Sequence, residues 1–143
     1  MTKTELLQRW FDEVWFRGNL DAIGELFVPN AEANGVLPEI EFGPDEFREL
    51  VKVMRDHLGD IRVTLHKTVE QGDWLAALVR AQMTRLDNHA PVEMTGQVMA
   101  RFDGDKMVEA YNQFDVISLF EQMDQLPPHT LPVCMTGASL TWA

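Results

Sequence analysis

In "KMVEAYNQFDVISLFEQM" (Lys106 to Met123) an alternating stretch runs straight into a helical period, and Asn112, Gln113 and Asp115 crowd the joint. A carboxylate held there in a dry pocket can move a proton beside a carbonyl, because desolvation and neighbours tune its pKa. An amide can only donate and accept hydrogen bonds. Asp115 stands where a helix N-cap is expected, and aspartate is among the favoured caps. That leaves Asn112, on one strand parity with Val108, Ala110 and Phe114, as the side chain facing a pocket or satisfying buried backbone groups. Arg80 and Gln82, two apart in "LAALVRAQMTRL", are the next candidates. Aimed inward, they present donors to negative charge developing on an oxygen. A buried guanidinium needs a partner; Glu32, Gln82, Asn112 or a ligand oxygen are the choices. His66 in "IRVTLHKTVE" is the remaining proton carrier, since its unperturbed pKa lies near neutrality. No histidine has a second ligand at helical or strand spacing, so neither a metal site nor a cofactor is expected.

These residues need a frame. From Thr4 to Arg17, Leu6, Leu7, Trp10, Phe11, Val14 and Trp15 recur at spacings of three and four, which predicts an amphipathic helix. Thr2 and Glu5 offer a capping box, and Gly18 with Asn19 stops the helix. A short second helix is expected over about Leu20 to Phe27, ended by Pro29 and Asn30. "AEANGVLPEIEFG" reads as a loop or two short extended pieces. "GPDEFRELVKVMRDHLGD" predicts the third helix, with Pro44 in its first turn and a buried stripe of Phe47, Leu50, Val51, Met54 and Leu58.

After Gly59 the period becomes two. Ile61, Val63, Leu65 and Val69 alternate with Arg62, Thr64, His66 and Glu70. Turns at "QGDW", "DNHAP" and "DGD" then separate three more strands. The face of Leu75, Ala77, Val79, Ala81 and Met83 is strongly apolar, and if convex it suggests a subunit interface. Helices followed by an antiparallel meander predict an α+β domain in which a curved sheet wraps three N-terminal helices. That domain covers residues 1–126; 127–143 form a tail without a period, in which Trp142 is a possible anchor to a neighbour.

The chain has 143 residues, room for one domain. Its 12 Lys and Arg face 23 Asp and Glu, a formal charge of −11 that opposes nucleic acid and anionic membranes. One cysteine, Cys134, rules out an internal disulfide and fits a reducing cytoplasm. No apolar run approaches bilayer length and "MTKTELLQRW" lacks a secretory pattern, so a cytoplasmic protein is expected.

The order and spacing of "RGNLDAIGELF", "GPDEF", "EQGDW" and "RFDGDKMVEAYNQFD...LFEQMDQL" resemble the SnoaL-like polyketide cyclases of the nuclear-transport-factor-2-like superfamily. The resemblance implies a cone-shaped α+β barrel with a deep apolar pocket, and a homodimer formed through the sheet. It also locates the chemistry. The cyclase aspartate, three residues before the joint, falls on Asn112, and the cyclase histidine falls on Val98. The ketosteroid isomerase base falls near Asn34 and Gly35. The arginine and aspartate of the epoxide hydrolases fall near Arg80 and Gln82. Every borrowed proton-transfer position therefore carries an amide or an apolar residue.

Two functions follow. One is a cofactor-free cyclase, isomerase or lyase acting on a polyketide- or steroid-like carbonyl compound, with Asn112, Arg80, Gln82 and His66 as its catalytic groups. The other is a non-catalytic ligand-binding or dimerisation module that has lost the carboxylate. Either would bind an apolar small molecule among Trp10, Trp15, Phe27, Asn34, Val98, Phe102 and Phe114.

Overall fold

A computed structural model describes residues 1–141 of the chain; the expectation about Trp142 lies outside them. The first helix, α1 (Lys3–Trp10), starts as expected: the Thr2 hydroxyl accepts the Glu5 amide at 3.0 Å. It does not continue as an α-helix to Arg17. Phe11–Phe16 widens into a π-helical segment in which the Arg17 amide reaches back to the Asp12 carbonyl. The end of any helix leaves carbonyls unpaired. Here Arg55 fills the need, donating from Nη1 to the carbonyls of Trp15 at 2.6 Å and Phe16 at 2.7 Å. Because Arg55 ends α3 (Pro44–Arg55), this contact ties α3 to the end of the first helix.

The second helix, α2, is Asp21–Leu26, and the chain turns extended at Phe27. The stretch expected to be a loop holds β1 (Phe27–Leu37) and β2 (Ile40–Phe42). Local propensity argues against a strand through Pro29, Asn30 and Gly35, but pairing overrides it. β1 lies parallel to β6 (Lys106–Phe114), with Ala33 opposite Ala110 and Asn34 opposite Tyr111. Pro29 and Asn30 fall within the register break between Phe27 and Glu32, where a missing N–H costs no ladder bond. β3 (Leu58–Gln71), β4 (Trp74–Arg85) and β5 (Pro91–Asp103) complete a six-stranded sheet in the order β2-β1-β6-β5-β4-β3. The curved, unclosed sheet with its helices is the α+β arrangement expected.

The helices cover one face. Leu75, Ala77, Val79, Ala81 and Met83 are all buried there. The condition on which a subunit interface was expected there, that this face be convex, is therefore not met. Burying a Leu, Val or Met side chain contributes roughly 1.5–3 kcal/mol, so the strand's apolar side closes the core. Beneath the sheet Trp10, Phe27, Phe42 and Phe47 form one aromatic cluster. Trp10 meets Phe27 edge-on at 4.9 Å and Phe47 at 5.2 Å, Phe27 stacks on Phe47 at 5.7 Å, and Phe42 packs on Phe47 at 5.4 Å.

Asp115 caps α4 (Val116–Gln122), its carboxylate accepting the Ser118 amide at 3.2 Å. β6 ends opposite Gly96, which leaves the neighbouring edge of β5 open. The Gln122 side-chain amide closes it as a strand would, accepting from the Glu93 amide at 2.9 Å and donating to the Glu93 carbonyl at 2.7 Å. The tail, in which no period is legible, contains α5 (Thr130–Met135), which packs on α4.

Arg85 fastens this end. Its buried guanidinium binds Asp87 through two nitrogens at 2.9 and 2.6 Å, Asp124 at 2.8 Å and the Gln122 carbonyl at 3.0 Å. The hydrogen bond from Arg85 is the main reason the Asp87 carboxyl sits below its usual range. A depressed carboxyl stabilises the fold fully above its unfolded pKa, and that contribution is lost as pH falls through the folded value. Denaturant midpoints measured from about pH 6 to about pH 3 should therefore drop less in Asp87→Asn than in the wild type. Equal drops would mean the pair adds nothing.

Candidate functional site

The inner face of the sheet is nearly free of polar chemistry. Across its middle run Ala77, Val98 and Asn112, in register on β4, β5 and β6. Asn112 is half-buried, and its amide nitrogen donates to the Asn34 carbonyl at 3.3 Å. The next row is Leu65, Val79, Gly96 and Phe114. Phe114 lies over Gly96, whose missing side chain makes the space: a Cβ there would overlap the Phe114 ring. Leu65, Met94 and Phe114 are half-buried, so the inner face is open to solvent toward this end and closed around the aromatic cluster.

The expected site residues do not converge. Asn112 faces inward as predicted, although a bulge near Val108 removes that residue from its row. Arg80 and Gln82 point to the outer face, contrary to expectation, because their parity is opposite to that of the buried apolar set. Arg80 already has its partner there, Glu93, bound through Nη2 at 2.6 Å and Nε at 3.2 Å. His66 lies exposed at a register shift between Leu65 and Lys67. Of the expected pocket residues, Trp10, Phe27, Val98 and Phe102 are sealed in the core, while Trp15 and Phe114 are half-buried. Asn34 shares the outer parity of Tyr111, its register partner.

The shift at His66 also corrects the alternation read along β3. Leu65 faces in, but Lys67 pairs with Leu78 and Val69 with Ala76, so both face out, and Val69 is 68% exposed. Two adjoining troughs of about 600 Å³ each result on the outer face, sharing Lys67, Leu78, Gln97 and Gln113. These four residues form one row across β3, β4, β5 and β6. The row beside it, Val69, Ala76, Met99 and Tyr111, is apolar apart from the tyrosine hydroxyl. Trp74 stacks on Tyr111 at 6.2 Å. Strict alternation hides this row; the signal in the sequence is a lysine on the parity of Val63, Leu65 and Val69.

Electrostatics on the outer face are settled within it. Hydrogen bonds from Arg101 and from the Tyr111 hydroxyl hold the Glu109 carboxyl below its usual range, and that same carboxylate raises Tyr111. Both shifts move the groups away from neutrality, the opposite of what general acid–base chemistry requires. Among the described residues the only buried polar or charged ones are Arg85, held by its aspartates, and Thr130, whose hydroxyl donates to the Pro127 carbonyl at 2.6 Å.

No curated protein matches the sequence. Solved structures do. IdmH from Streptomyces antibioticus superposes with a TM-score of 0.74 at 19% identity, over 87% of this chain and 99% of its own. A SnoaL-like polyketide cyclase from Agrobacterium tumefaciens gives 0.67 at 20% identity, over 86% and 98%. A ketosteroid isomerase-like fold from Catenulispora acidiphila gives 0.71 at 16% identity, over 85% and 93%. At these identities the likeness is one of fold. The sequence itself matches the SnoaL-like domain over residues 7–110, and the chain belongs to that family.

Proposed function

We propose that this SnoaL-like domain binds an apolar, carbonyl- or hydroxyl-bearing small molecule without transforming it. The ligand sits at the half-buried end of the inner face, against Leu65, Met94 and Phe114, with Asn112 as its hydrogen-bonding partner. One observation carries the reading: where a proton-transferring member of the fold needs a carboxylate or imidazole, the inner face offers an amide. An amide orients a carbonyl oxygen but takes no proton at neutral pH. Arg80 and Gln82, which a cyclase reading would aim at an enolate-like oxygen, lie on the other side of the sheet.

The test uses 5-androstene-3,17-dione as a model ketosteroid. Wild-type protein should show saturable NMR shifts at Met94, Asn112 and Phe114 and no isomerisation above buffer. Asn112→Asp should bind the same probe and isomerise it about 10²-fold or more above wild type, the scale of one positioned base. Turnover of the steroid by the wild type would overturn the proposal.

A further inference from the structure

We infer that Phe114 is the specificity-determining residue of the inner-face site: its ring is a plug, seated on Gly96, that fills the place a ligand's second ring would take. That role presupposes the inner-face site proposed above and adds what limits the size of its ligand. The observation behind it is one absent side chain. Gly96 sits in the middle of the inner face, between Val79 on β4 and Phe114 on β6, with Met94 and Val98 as its inward neighbours along β5. All four carry apolar side chains, and Val79 and Val98 are buried. Same-face neighbours along a strand stand roughly 6.6 Å apart, so a glycine among them leaves a hole about one side chain wide. The Phe114 ring fills it. A Cβ on Gly96 would overlap the ring at Cδ1 and Cε1, which places the ring flat against the glycine backbone.

Core packing alone does not account for this ring. Trp10, Phe27, Phe42 and Phe47 are buried and packed on one another. Phe114 is half-buried and pairs with no other ring among the described residues. It is also the last residue of β6, so no inward side chain follows it on its own strand. The backbone beyond it is pinned. The Asp115 amide donates to the Thr95 carbonyl at 3.0 Å, and the Asp115 carboxylate caps α4. Only the ring is free to turn. Asn112 stands two residues earlier on the same face, in register with Val98, one inward position along β5 from Gly96. A ligand carbonyl held by the Asn112 amide therefore has the Phe114 ring as its neighbour. One ligand ring rests against the plug; a second ring directed toward β5 collides with it, because two rings cannot share the space over Gly96.

The test uses two ketones that differ by one ring, cyclohexanone and 4-phenylcyclohexanone, and toluene as a probe without a carbonyl, each titrated by amide NMR on the full chain. Phe114→Ala opens an apolar hole of the kind that stays dry and takes up small aromatics. It should bind toluene with saturable shifts at Val79, Met94 and Gly96, where the wild type shows none. It should also raise the affinity ratio of 4-phenylcyclohexanone to cyclohexanone at least about tenfold over the wild type, the scale on which an apolar pocket senses added bulk. Adding Gly96→Ala to Phe114→Ala puts a methyl group into the hole and should cancel both gains. Phe114→Leu should move the ratio the same way by a smaller factor, and decides the matter if the alanine variant does not fold. An unchanged ratio in a folded Phe114 variant, or no toluene uptake by Phe114→Ala, would overturn the plug. A wild type that binds neither ketone counts against the Asn112 reading instead, since toluene uptake does not involve the amide.

Discussion

Gly35→Ala is expected to destabilise the protein by about 3 kcal/mol or more, measured as the shift in urea midpoint at constant slope. Two costs combine. Gly35 has φ of +87°, a conformation that any side chain strains. A Cβ at this position would also fall on the Asn112 carbonyl oxygen, a backbone atom that cannot rotate away. The strain must be relieved by parting β1 from β6, so the substitution should weaken steroid binding at Asn112 along with stability. A midpoint within about 0.5 kcal/mol of wild type, the range of an ordinary surface change, would show that the two strands are not in close contact here.

Phe47→Ala should cost about 3–5 kcal/mol, the usual range for emptying a buried aromatic position. Phe47 touches all three other rings of the cluster, Trp10, Phe27 and Phe42, so its removal takes an edge or stacking partner from each. Phe47→Leu, which keeps most of the volume, should recover more than half of the loss. If Phe47→Ala instead retains wild-type stability, the cluster collapses into the vacated space and the closed end of the inner face is adaptable.

The two substitutions probe different kinds of information. The place of Phe47 on a helical stripe with Leu50, Val51 and Met54 is readable from spacing alone, because a period of 3.6 survives whatever the stripe packs against. The place of Gly35 is not. Nothing local says that "AEANGVLP" joins a sheet; its partner, β6, lies more than seventy residues further on and supplies the pairing. The same holds for the π-helical turn at Phe11–Phe16, whose open carbonyls are closed by Arg55 from another helix.

Arg80 shows how the candidate site was misread. Its strand is legible in the sequence, and so is the division of that strand into two faces. Resemblance then assigned the polar face to the interior. The apolar face had the stronger claim, since five buried aliphatic side chains outweigh what two polar ones gain by turning inward. The outward turn of Lys67 and Val69 is hidden for a different reason. A one-residue shift at His66 reverses the faces of everything beyond it, and its one trace in the sequence is Lys67 itself, a charge on the parity of Val63 and Leu65.

Taken alone, then, the sequence determined the first four α-helices in outline, the four long strands, the Asp115 cap and an amide at position 112. Each of these depends on residue type or on a repeat within a few neighbours. Only the tertiary structure decided which sheet face is inside, that β1 joins the sheet, and that Lys67 faces outward above an apolar floor with no ion-pair partner among the described residues. Those follow from strand pairing and register, where residues far apart in the chain compete for the same hydrogen bonds and the same buried space.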